Sequence, residues 1–219
     1  AERVSDPAIA QIDASLRSVG HLLGELLEVS KLDGGVTTPE IADFRVSDLL
    51  RPLGEEFSAL AGQHGLGFRS VASSASVRSD PAMLRRILQN FLGNAVRYTR
   101  DGRVLIGCRR RAGRLIIEVW DSGPGIPEDK IHEIFLEFQR LDTATSDRGQ
   151  GLGLGLAIVE RLAGLLGHEV AVRSRPSRGS CFSVSVPLAA RPVAPRAPVD
   201  RARRFDGAFD GALVLFIEN

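Results

Sequence analysis

Two asparagines on one predicted helix are the first residues whose spacing indicates chemistry. Asn90 and Asn94, in the stretch NFLGNAVRYT, are four residues apart, and a helix places such residues on one face. That side of the helix is otherwise apolar, and a buried amide is costly unless it has a hydrogen-bond partner. An amide oxygen is also a hard ligand that suits Mg²⁺. The pair indicates a bound ligand or metal, although two exposed or capping amides would give the same pattern.

An aspartate ends an apolar strand and enters a glycine-rich turn in DSGPGIP, residues 121–127. Gly123 and Gly125 allow the backbone to approach a ligand closely. Asp121, when it is ionised, can only accept hydrogen bonds. It therefore suits adenine, whose exocyclic amine donates, and disfavours guanine, which presents an oxygen at that place. Taken alone, the stretch is more simply explained as a tight surface turn.

Alternating glycines precede a further predicted helix in GQGLGLGLAIV, at positions 149, 151, 153 and 155. Free backbone N–H groups at the positive end of a helix form an anion site. The run is not a Walker A loop, because no Gly-Lys-Ser/Thr follows it, and it lacks the GxGxxG spacing of dinucleotide-binding folds. We therefore predict a phosphate contact of another kind.

Two phenylalanines lie between the glycine stretches, in IHEIFLEFQR. Phe135 and Phe138 are three residues apart, and Arg140 follows them. By themselves they are most simply two core aromatics and a surface cation.

Hydrophobic periodicity predicts the elements that position these stretches. An extended piece runs into a helix near Ser47, a possible cap, and Asp80-Pro81 starts the asparagine helix with proline in its first turn. RVLIGCRRR and RLIIEVW form a hairpin through Ala112-Gly113. Further predicted elements are strands over 67–71, 75–79, 169–174 and 181–186, a short helix around 128–134 and a helix over about 154–166. The predicted fold class is α/β, an open two-layer sandwich whose mixed sheet is covered on one face by three helices.

Both ends of the chain differ from this sandwich. Residues 8–32 carry a heptad seam, formed by Ile9, Ile12, Leu16, Val19, Leu23 and Leu26. Such a helix needs a partner, and a dimeric four-helix bundle is one way to provide it. Residues 191–211 are rich in Pro, Arg and Ala and are predicted to be a linker. GALVLFIEN is typical of the first strand of another domain, so we expect the chain to be part of a longer protein.

Composition narrows the class of protein. A hydrophobic content of 43% and a charged content of 25% are typical of globular domains. The net charge of +1 gives no sign of nucleic-acid binding. Cys108 and Cys181 lack the spacing of a disulfide framework or a zinc site, and reduced cytoplasmic thiols are the simplest account. No apolar run approaches the ~18–20 residues that would span a bilayer.

Together, the four stretches resemble the catalytic and ATP-binding domain of sensor histidine kinases, within the wider family of gyrase, Hsp90-type chaperones and mismatch-repair ATPases. NFLGNA is similar to the asparagine box, DSGPGI to the first glycine box, IFLEFQR to the phenylalanine box and GLGLGLAIV to the second glycine box. The resemblance implies the Bergerat-type ATP-binding fold. LLEVSKLDGG is similar to the end of the second helix of the dimerisation and histidine-phosphotransfer domain, and ALVLFIEN to the first strand of a receiver. A bacterial, cytoplasmic hybrid kinase is implied, with the boundaries 1–36, 37–190, 191–211 and 212–219.

The resemblance also implies a site for ATP and Mg²⁺. Asn94 would hold the metal that bridges the phosphates, Asn90 would help to orient metal, water or γ-phosphate, and Asp121 would bind the adenine amine. The other implied contacts are Arg97, Tyr98, Gly123, Gly125, Arg140, Gly151, Leu152, Gly153, Leu154 and Gly155. Residues 141–150 would form the ATP lid. Arg97 stands where the family often has lysine, which supplies the charge with a different geometry.

The implied activity is a protein histidine kinase, which works as a homodimer with a response regulator or receiver domain as its partner. The acceptor would lie on an upstream helix, because His21, His64, His132 and His168 all fit structural positions better. Asn90 cannot act as a general base, unlike the glutamate of the related ATPases, and this favours phosphoryl transfer over hydrolysis. Two alternatives stay open: an ATP-binding pseudokinase that signals by conformation, and a gyrase- or chaperone-like ATPase.

Overall fold

The computed structural model describes residues 37–139 and 153–194, with scattered positions between 20 and 34. Its strands are β1 Ala42–Arg45, β2 Gly67–Ser70, β3 Ser76–Ser79, β4 Arg103–Arg111, β5 Arg114–Asp121, β6 Glu169–Arg175 and β7 Gly179–Pro187. Its helices are α1 Val46–Gln63, α2 Pro81–Tyr98 and α3 Gly155–Leu166, with 3-10 turns at Glu128–Lys130 and Glu133–Phe135. The predicted elements of the sandwich are confirmed, with small shifts of their ends, and the short helix is a pair of 3-10 turns.

The main sheet has five strands in the order β2-β4-β5-β7-β6. β2 pairs with β4 in parallel, and the other neighbours are antiparallel, so the predicted mixed sheet is confirmed. β4 and β5 are joined through Ala112 and Gly113, with φ angles of 47° and 73°. Two successive residues with positive φ form the turn that matches the twist of a hairpin. A separate small sheet pairs β1 with β3.

The core lies between the helices and one face of this sheet. Alternate residues of β5, namely Leu115, Ile117 and Val119, are fully buried in the core, as the two-residue period of a strand requires. The rings of Phe91 on α2 and Phe182 on β7 lie 5.4 Å apart and join the two layers. Residues of the other strand face include Trp120, which is 43% exposed. This is the two-layer arrangement that the sequence predicted.

α2 is fixed at its start by Asp80. The carboxylate accepts hydrogen bonds from the N–H groups of Ala82 and Met83 at 2.8 and 3.0 Å, and its second oxygen accepts one from Glu40 N–H at 2.8 Å. Such caps satisfy the free amides of a first turn. The residues of α2 that are buried are Met83, Leu84, Ile87, Leu88, Phe91, Leu92, Ala95 and Val96. This stripe fixes the rotation of the helix and leaves Asn90 and Asn94 half-buried at its margin.

The predicted cap at Ser47 is wrong. α1 begins at Val46, its flanking residue is Arg45, and no side chain caps it. Val46 is fully buried, and its N–H group donates to the Ala75 carbonyl at 3.0 Å. Burial of Val46 and this backbone bond place the helix start two residues earlier than predicted. Among the described residues, the Ser47 hydroxyl hydrogen-bonds to Asp48 at 3.4 Å.

The two ends of the chain are described only in part. The described positions of the predicted helix over 8–32 are helical, and Leu23, Leu26 and Leu27 among them are exposed. After β7, the Ala189 N–H group donates to the Ser76 carbonyl at 2.9 Å, so the chain first runs along β3. The segment 212–219 lies outside the described residues. Among the helices that the structure does describe, none combines the length and the apolar character of a membrane span.

Candidate functional site

Asp121 stands at the end of β5 with one carboxylate oxygen fixed. Its Oδ1 accepts hydrogen bonds from Gly123 N–H at 2.9 Å and from Ser180 N–H at 3.2 Å. Its Oδ2 accepts none from the residues that the structure describes. Burial raises the pKa of Asp121 above its ordinary value, and the two backbone hydrogen bonds oppose that change. The carboxylate is therefore oriented by the protein and keeps one oxygen for a ligand.

Gly123 lies where the end of α2 meets the turn after β5. A Cβ atom on this residue would lie 2.9 Å from Asp121 Oδ1, 3.2 Å from the Tyr98 carbonyl oxygen and 3.3 Å from Thr99 Oγ1. Three oxygen atoms thus converge on the open side of the glycine. The turn brings Asp121 to the end of α2, the helix that also carries the two asparagines.

Gly125 allows a close approach between the turn after β5 and the β6–β7 hairpin. Its φ angle is +70°, and a Cβ atom there would overlap the carbonyl oxygen of Arg175 and lie 3.1 Å from Pro176 Cα. Two hydrogen bonds flank this contact, from Ser177 N–H to the Pro124 carbonyl at 2.6 Å and from Ile126 N–H to Ser174 Oγ at 2.7 Å. Gly125 therefore allows the turn to pack closely against the β6–β7 hairpin.

Sequence reasoning missed the contribution of β7 to this turn. Gly179 has a φ angle of +86°, and a Cβ atom there would overlap the Asp121 carbonyl oxygen and lie 2.9 Å from Ser122 Cα. The next residue, Ser180, provides the second N–H group that holds Asp121. The glycine of the turn RPSRGS was the available signal, but its partner depends on strand pairing, since Trp120 lies opposite Cys181 in the β5–β7 ladder.

Asn90 lies against the second glycine run. A Cβ atom on Gly155 would be 2.5 Å from Asn90 Oδ1, so a larger residue at the start of α3 would displace the Asn90 amide. Asn90 Nδ2 donates to the Arg86 carbonyl at 3.0 Å, which fixes the amide with its oxygen towards α3. Among the described residues no side chain caps the first turn of α3, and N–H groups without such a cap attract anions. The structure therefore places Asn90 of the asparagine helix beside Gly155, the last glycine of the run.

Asn94 lies one turn further along α2, half-buried. Its side chain makes no hydrogen bond to the part of the chain that the structure describes. Over the same residues, no group of three acidic, histidine or cysteine side chains could hold a metal. A Mg²⁺ ion that arrives with phosphates needs only one or two protein ligands and keeps its waters, so a single amide oxygen suits it. Arg97 is exposed and Tyr98 half-buried in the last turn of the helix.

Only one of the two phenylalanines in the stretch IHEIFLEFQR packs against the core. Phe135 packs against the core, whereas Phe138 is 58% exposed and has a φ angle of 60°. An ion pair between Glu137 and Arg161 ties the stretch to α3. A Cβ atom on Gly153 would lie 2.7 Å from the Gln139 carbonyl oxygen, and Leu154 is buried beside it. Arg140, Gly151, Leu152 and the predicted lid over 141–150 lie outside the described residues.

His168 occupies a buried structural position, as predicted. Its Nε2 atom and the Ser79 hydroxyl are 2.8 Å apart, and both residues are buried. Burial lowers the pKa of His168 below its ordinary value. The pair joins the start of β6 to the end of β3.

The geometry agrees with comparisons to known proteins. Residues 79–190 match the family described as histidine kinase-, DNA gyrase B- and HSP90-like ATPase. The chain belongs to this ATPase family. The circadian input-output histidine kinase CikA of Synechococcus elongatus is 34% identical to this chain over 187 residues. The match covers 82% of this chain and 25% of CikA. The sensor histidine kinase RcsC of Escherichia coli is 29% identical over 186 residues, 84% of this chain and 20% of RcsC.

Solved structures give the same assignment. The structure of full-length ShkA in complex with AMPPNP superposes on this chain with a TM-score of 0.73 and 32% sequence identity. The superposition covers 88% of this chain and 42% of ShkA. The nucleotide-free catalytic domain of histidine kinase ThkA has a TM-score of 0.58 and 26% identity, covering 68% of this chain and 95% of that domain. This member of the ATPase family therefore carries the catalytic domain of a sensor histidine kinase. It spans a quarter or less of the length of the curated relatives CikA and RcsC.

Proposed function

We propose that this chain binds Mg·ATP and transfers the γ-phosphoryl group to a histidine that lies upstream of it in a longer protein. One observation carries the proposal: a single helix connects a carboxylate suited to adenine with an anion site. Asn90 contacts the start of α3, and Tyr98 and Thr99, at the end of the same helix, contact the Asp121 turn. The rise of a helix separates Asn90 from Tyr98 by about 12 Å. This arrangement suits an elongated ligand with a base at one end and phosphates at the other.

Each part of the site has a distinct role in the proposal. Asp121 accepts a hydrogen bond from the adenine amine, and the first turn of α3 binds phosphate oxygens through its N–H groups. Asn94 holds Mg²⁺, which when bound neutralises charge on the phosphates. Asn90, fixed by Arg86, presents its amide oxygen beside the same phosphates. Gly151, Leu152, Gly153, Leu154 and Gly155 with Arg97, Tyr98 and Arg140 complete the proposed nucleotide contacts.

The residue type of Asn90 supports transfer to a protein over hydrolysis. Activation of water needs a group that removes a proton, and an amide has no such capacity. A neutral imidazole nitrogen already carries the lone pair that attacks phosphorus, so a histidine acceptor needs no base at that step. Positioning and charge neutralisation then supply most of the catalysis.

Asn94→Ala is expected to remove the Mg²⁺-dependent part of ATP affinity. A single protein ligand would be lost, and binding with Mg²⁺ present should weaken about tenfold. Titration with a fluorescent ATP analogue, with and without Mg²⁺, measures this. Gln89→Ala is the matched control, because it removes another half-buried amide from α2 and should bind as the unaltered chain does. An unchanged affinity of Asn94→Ala in Mg²⁺ would contradict the metal assignment.

Labelling tests the assignment of the acceptor. This chain, incubated with γ-labelled ATP and Mg²⁺, is expected to acquire no acid-labile label, because the proposed acceptor is upstream and His168 is buried against Ser79. The longer protein with that upstream helix is expected to become labelled. Acid-labile label on the isolated chain would refute the assignment. ATP binding without any label on the longer protein would instead favour the pseudokinase alternative.

The proposal extends to the remainder of the protein. Residues 1–36 would end a dimerisation domain, residues 37–190 would form the kinase core, and 191–211 would link it to a receiver that starts at 212–219. The exposed leucines Leu23, Leu26 and Leu27 support a homodimer through this helix. A response regulator or receiver domain would take the phosphoryl group next. Dependence on ATP supports a cytoplasmic location for the protein.

A further inference from the structure

Asp80 is a buried carboxylate whose two oxygens hold two different parts of the chain. The residue is 6% exposed. Its Oδ1 atom accepts from Ala82 and Met83 N–H at 2.8 and 3.0 Å, and its Oδ2 atom accepts from Glu40 N–H at 2.8 Å. Serine caps a helix about as well with one oxygen and no charge, and burial of a charge is unfavourable. The cap of α2 alone therefore does not explain the carboxylate, and the bond to Glu40 is the feature that requires its second oxygen.

Glu40 belongs to the segment that enters the domain from the helix upstream of it. Residues 37–40 lie outside any helix or strand, and β1 begins two residues later, at Ala42. Leu32, in the upstream helix, is 9% exposed and belongs to the hydrophobic core of the domain. The entering chain is therefore attached to the domain at two points ahead of β1, through the apolar side chain of Leu32 and through Asp80.

The attachment through Asp80 joins the entering chain to the helix that carries both asparagines of the proposed phosphate site. α2 starts at Pro81 and includes Asn90 and Asn94. In the proposed reaction the acceptor histidine lies upstream of the entering segment, whereas α2 holds Mg²⁺ and the γ-phosphate. Transfer requires the reacting atoms to come within about 3–3.5 Å of each other, and a small misplacement is costly. Asp80 thus lies between the two carriers of the reacting groups.

We propose that Asp80 is a positioning residue for phosphoryl transfer, which fixes the entering chain against α2 through Glu40 N–H. The inference rests on the proposed function, because it concerns transfer to an upstream histidine. Without this bond, the next attachment among the described residues is the pairing of β1 with β3, where Ala42 lies opposite Ser79. The free connection would lengthen by two residues, or about 7 Å when it is fully extended. The acceptor would then meet the γ-phosphate in the reactive geometry less often.

Glu40→Pro tests the proposal, because it removes the N–H group that Asp80 Oδ2 binds. In the longer protein with the upstream helix, the rate of autophosphorylation at saturating ATP, kcat, should fall about threefold to tenfold, as for a loss of orientation. The KM for ATP should stay unchanged, because the nucleotide contacts are intact. Glu40→Ala is the matched control, since it removes the side chain, keeps the N–H group and should react as the unaltered protein does. An unchanged kcat of Glu40→Pro, or equal losses in both variants, would overturn the proposal.

Asp80→Ser breaks the same bond from the other side and keeps a cap on α2. It should lower kcat to a similar extent, while the ADP affinity of the isolated chain, measured by calorimetry, should stay as it is. A purely structural role of Asp80 predicts instead a lower midpoint of thermal unfolding with an unchanged kcat, and that result would overturn the proposal.

The double variant keeps the test independent of side effects of either substitution. Because Glu40→Pro and Asp80→Ser remove one and the same bond, the two together should lower kcat no further than either alone. Losses that multiply would overturn the proposal. Failure of the unaltered longer protein to become labelled would instead overturn the proposed function, so the two failures are distinguishable.

Discussion

Asp121→Asn is expected to weaken ADP binding about 100-fold, because a hydrogen bond to a charged acceptor becomes a contact between two donors. Asparagine keeps an oxygen that can accept from Gly123 and Ser180 N–H, as Oδ1 does at 2.9 and 3.2 Å. Its NH₂ group then takes the place of the free oxygen and faces the adenine amine. Calorimetric titration with ADP measures the loss.

Thermal stability distinguishes a loss of adenine binding in Asp121→Asn from damage to the fold. Burial raises the pKa of Asp121 in the folded chain. A carboxyl group with a raised folded pKa contributes stability that is complete below its unfolded pKa and is lost as pH rises through the folded pKa. At neutral pH the buried charge is therefore a cost, which asparagine removes. Asp121→Asn should unfold at the same or a higher temperature, and a clearly lower midpoint would show that the carboxylate serves mainly the fold.

Lowering the pH should weaken ADP binding in the same way as the Asp121→Asn substitution. Protonation of Asp121 replaces the accepting oxygen by a donor, so ADP affinity should fall as the pH drops through its pKa. Since burial raises that pKa, the fall should begin at a higher pH than for an ordinary aspartate. Over that pH range the affinity of Asp121→Asn should stay flat, and a parallel decline in both proteins would assign the titration to another group.

Gly125→Ala is expected to destabilise the domain by about 3 kcal/mol or more, in the range of severe single substitutions. A left-handed backbone alone costs a non-glycine residue about 1–2 kcal/mol. At Gly125 the added Cβ atom would also overlap the Arg175 carbonyl, so the β6–β7 hairpin must move. Urea unfolding followed by circular dichroism measures the difference.

Gly113→Ala is the matched control for this substitution. Gly113 has a φ angle of +73°, close to the +70° of Gly125, but no atom lies within 4 Å of its added Cβ. It should cost only the conformational part, about 1 kcal/mol. Equal losses at both positions would show that the hairpin yields freely and does not fix the turn.

Local patterns predicted the parts of this fold that depend on neighbours in sequence. Asp80-Pro81 marks the start of α2 because capping and a first-turn proline act within a few residues. Ala112-Gly113 predicts the β4–β5 hairpin for the same reason. The four-residue spacing of Asn90 and Asn94 placed both on one helix face, and their resemblance to a known box linked them to the glycine run that Asn90 contacts.

Contacts between distant residues could not be predicted in this way. One of the two N–H groups that hold Asp121 belongs to Ser180, which is 59 residues away. The spacing of residues within either stretch does not predict the register of β5 and β7. The same register decides that Gly125 meets Arg175. Ser47 fits a capping preference that the burial of Val46 overrides.

The β6–β7 turn has a consequence for anyone who engineers this domain. Tips of surface hairpins usually accept inserted peptides, tags and split points. Here the turn supplies backbone contacts to Pro124 and Gly125, and the residues just beyond it position Asp121. An insertion at this tip would therefore disturb the position of the Asp121 carboxylate. The turn at Ala112 and Gly113, which has open space around it, is the hairpin tip to use for a fusion.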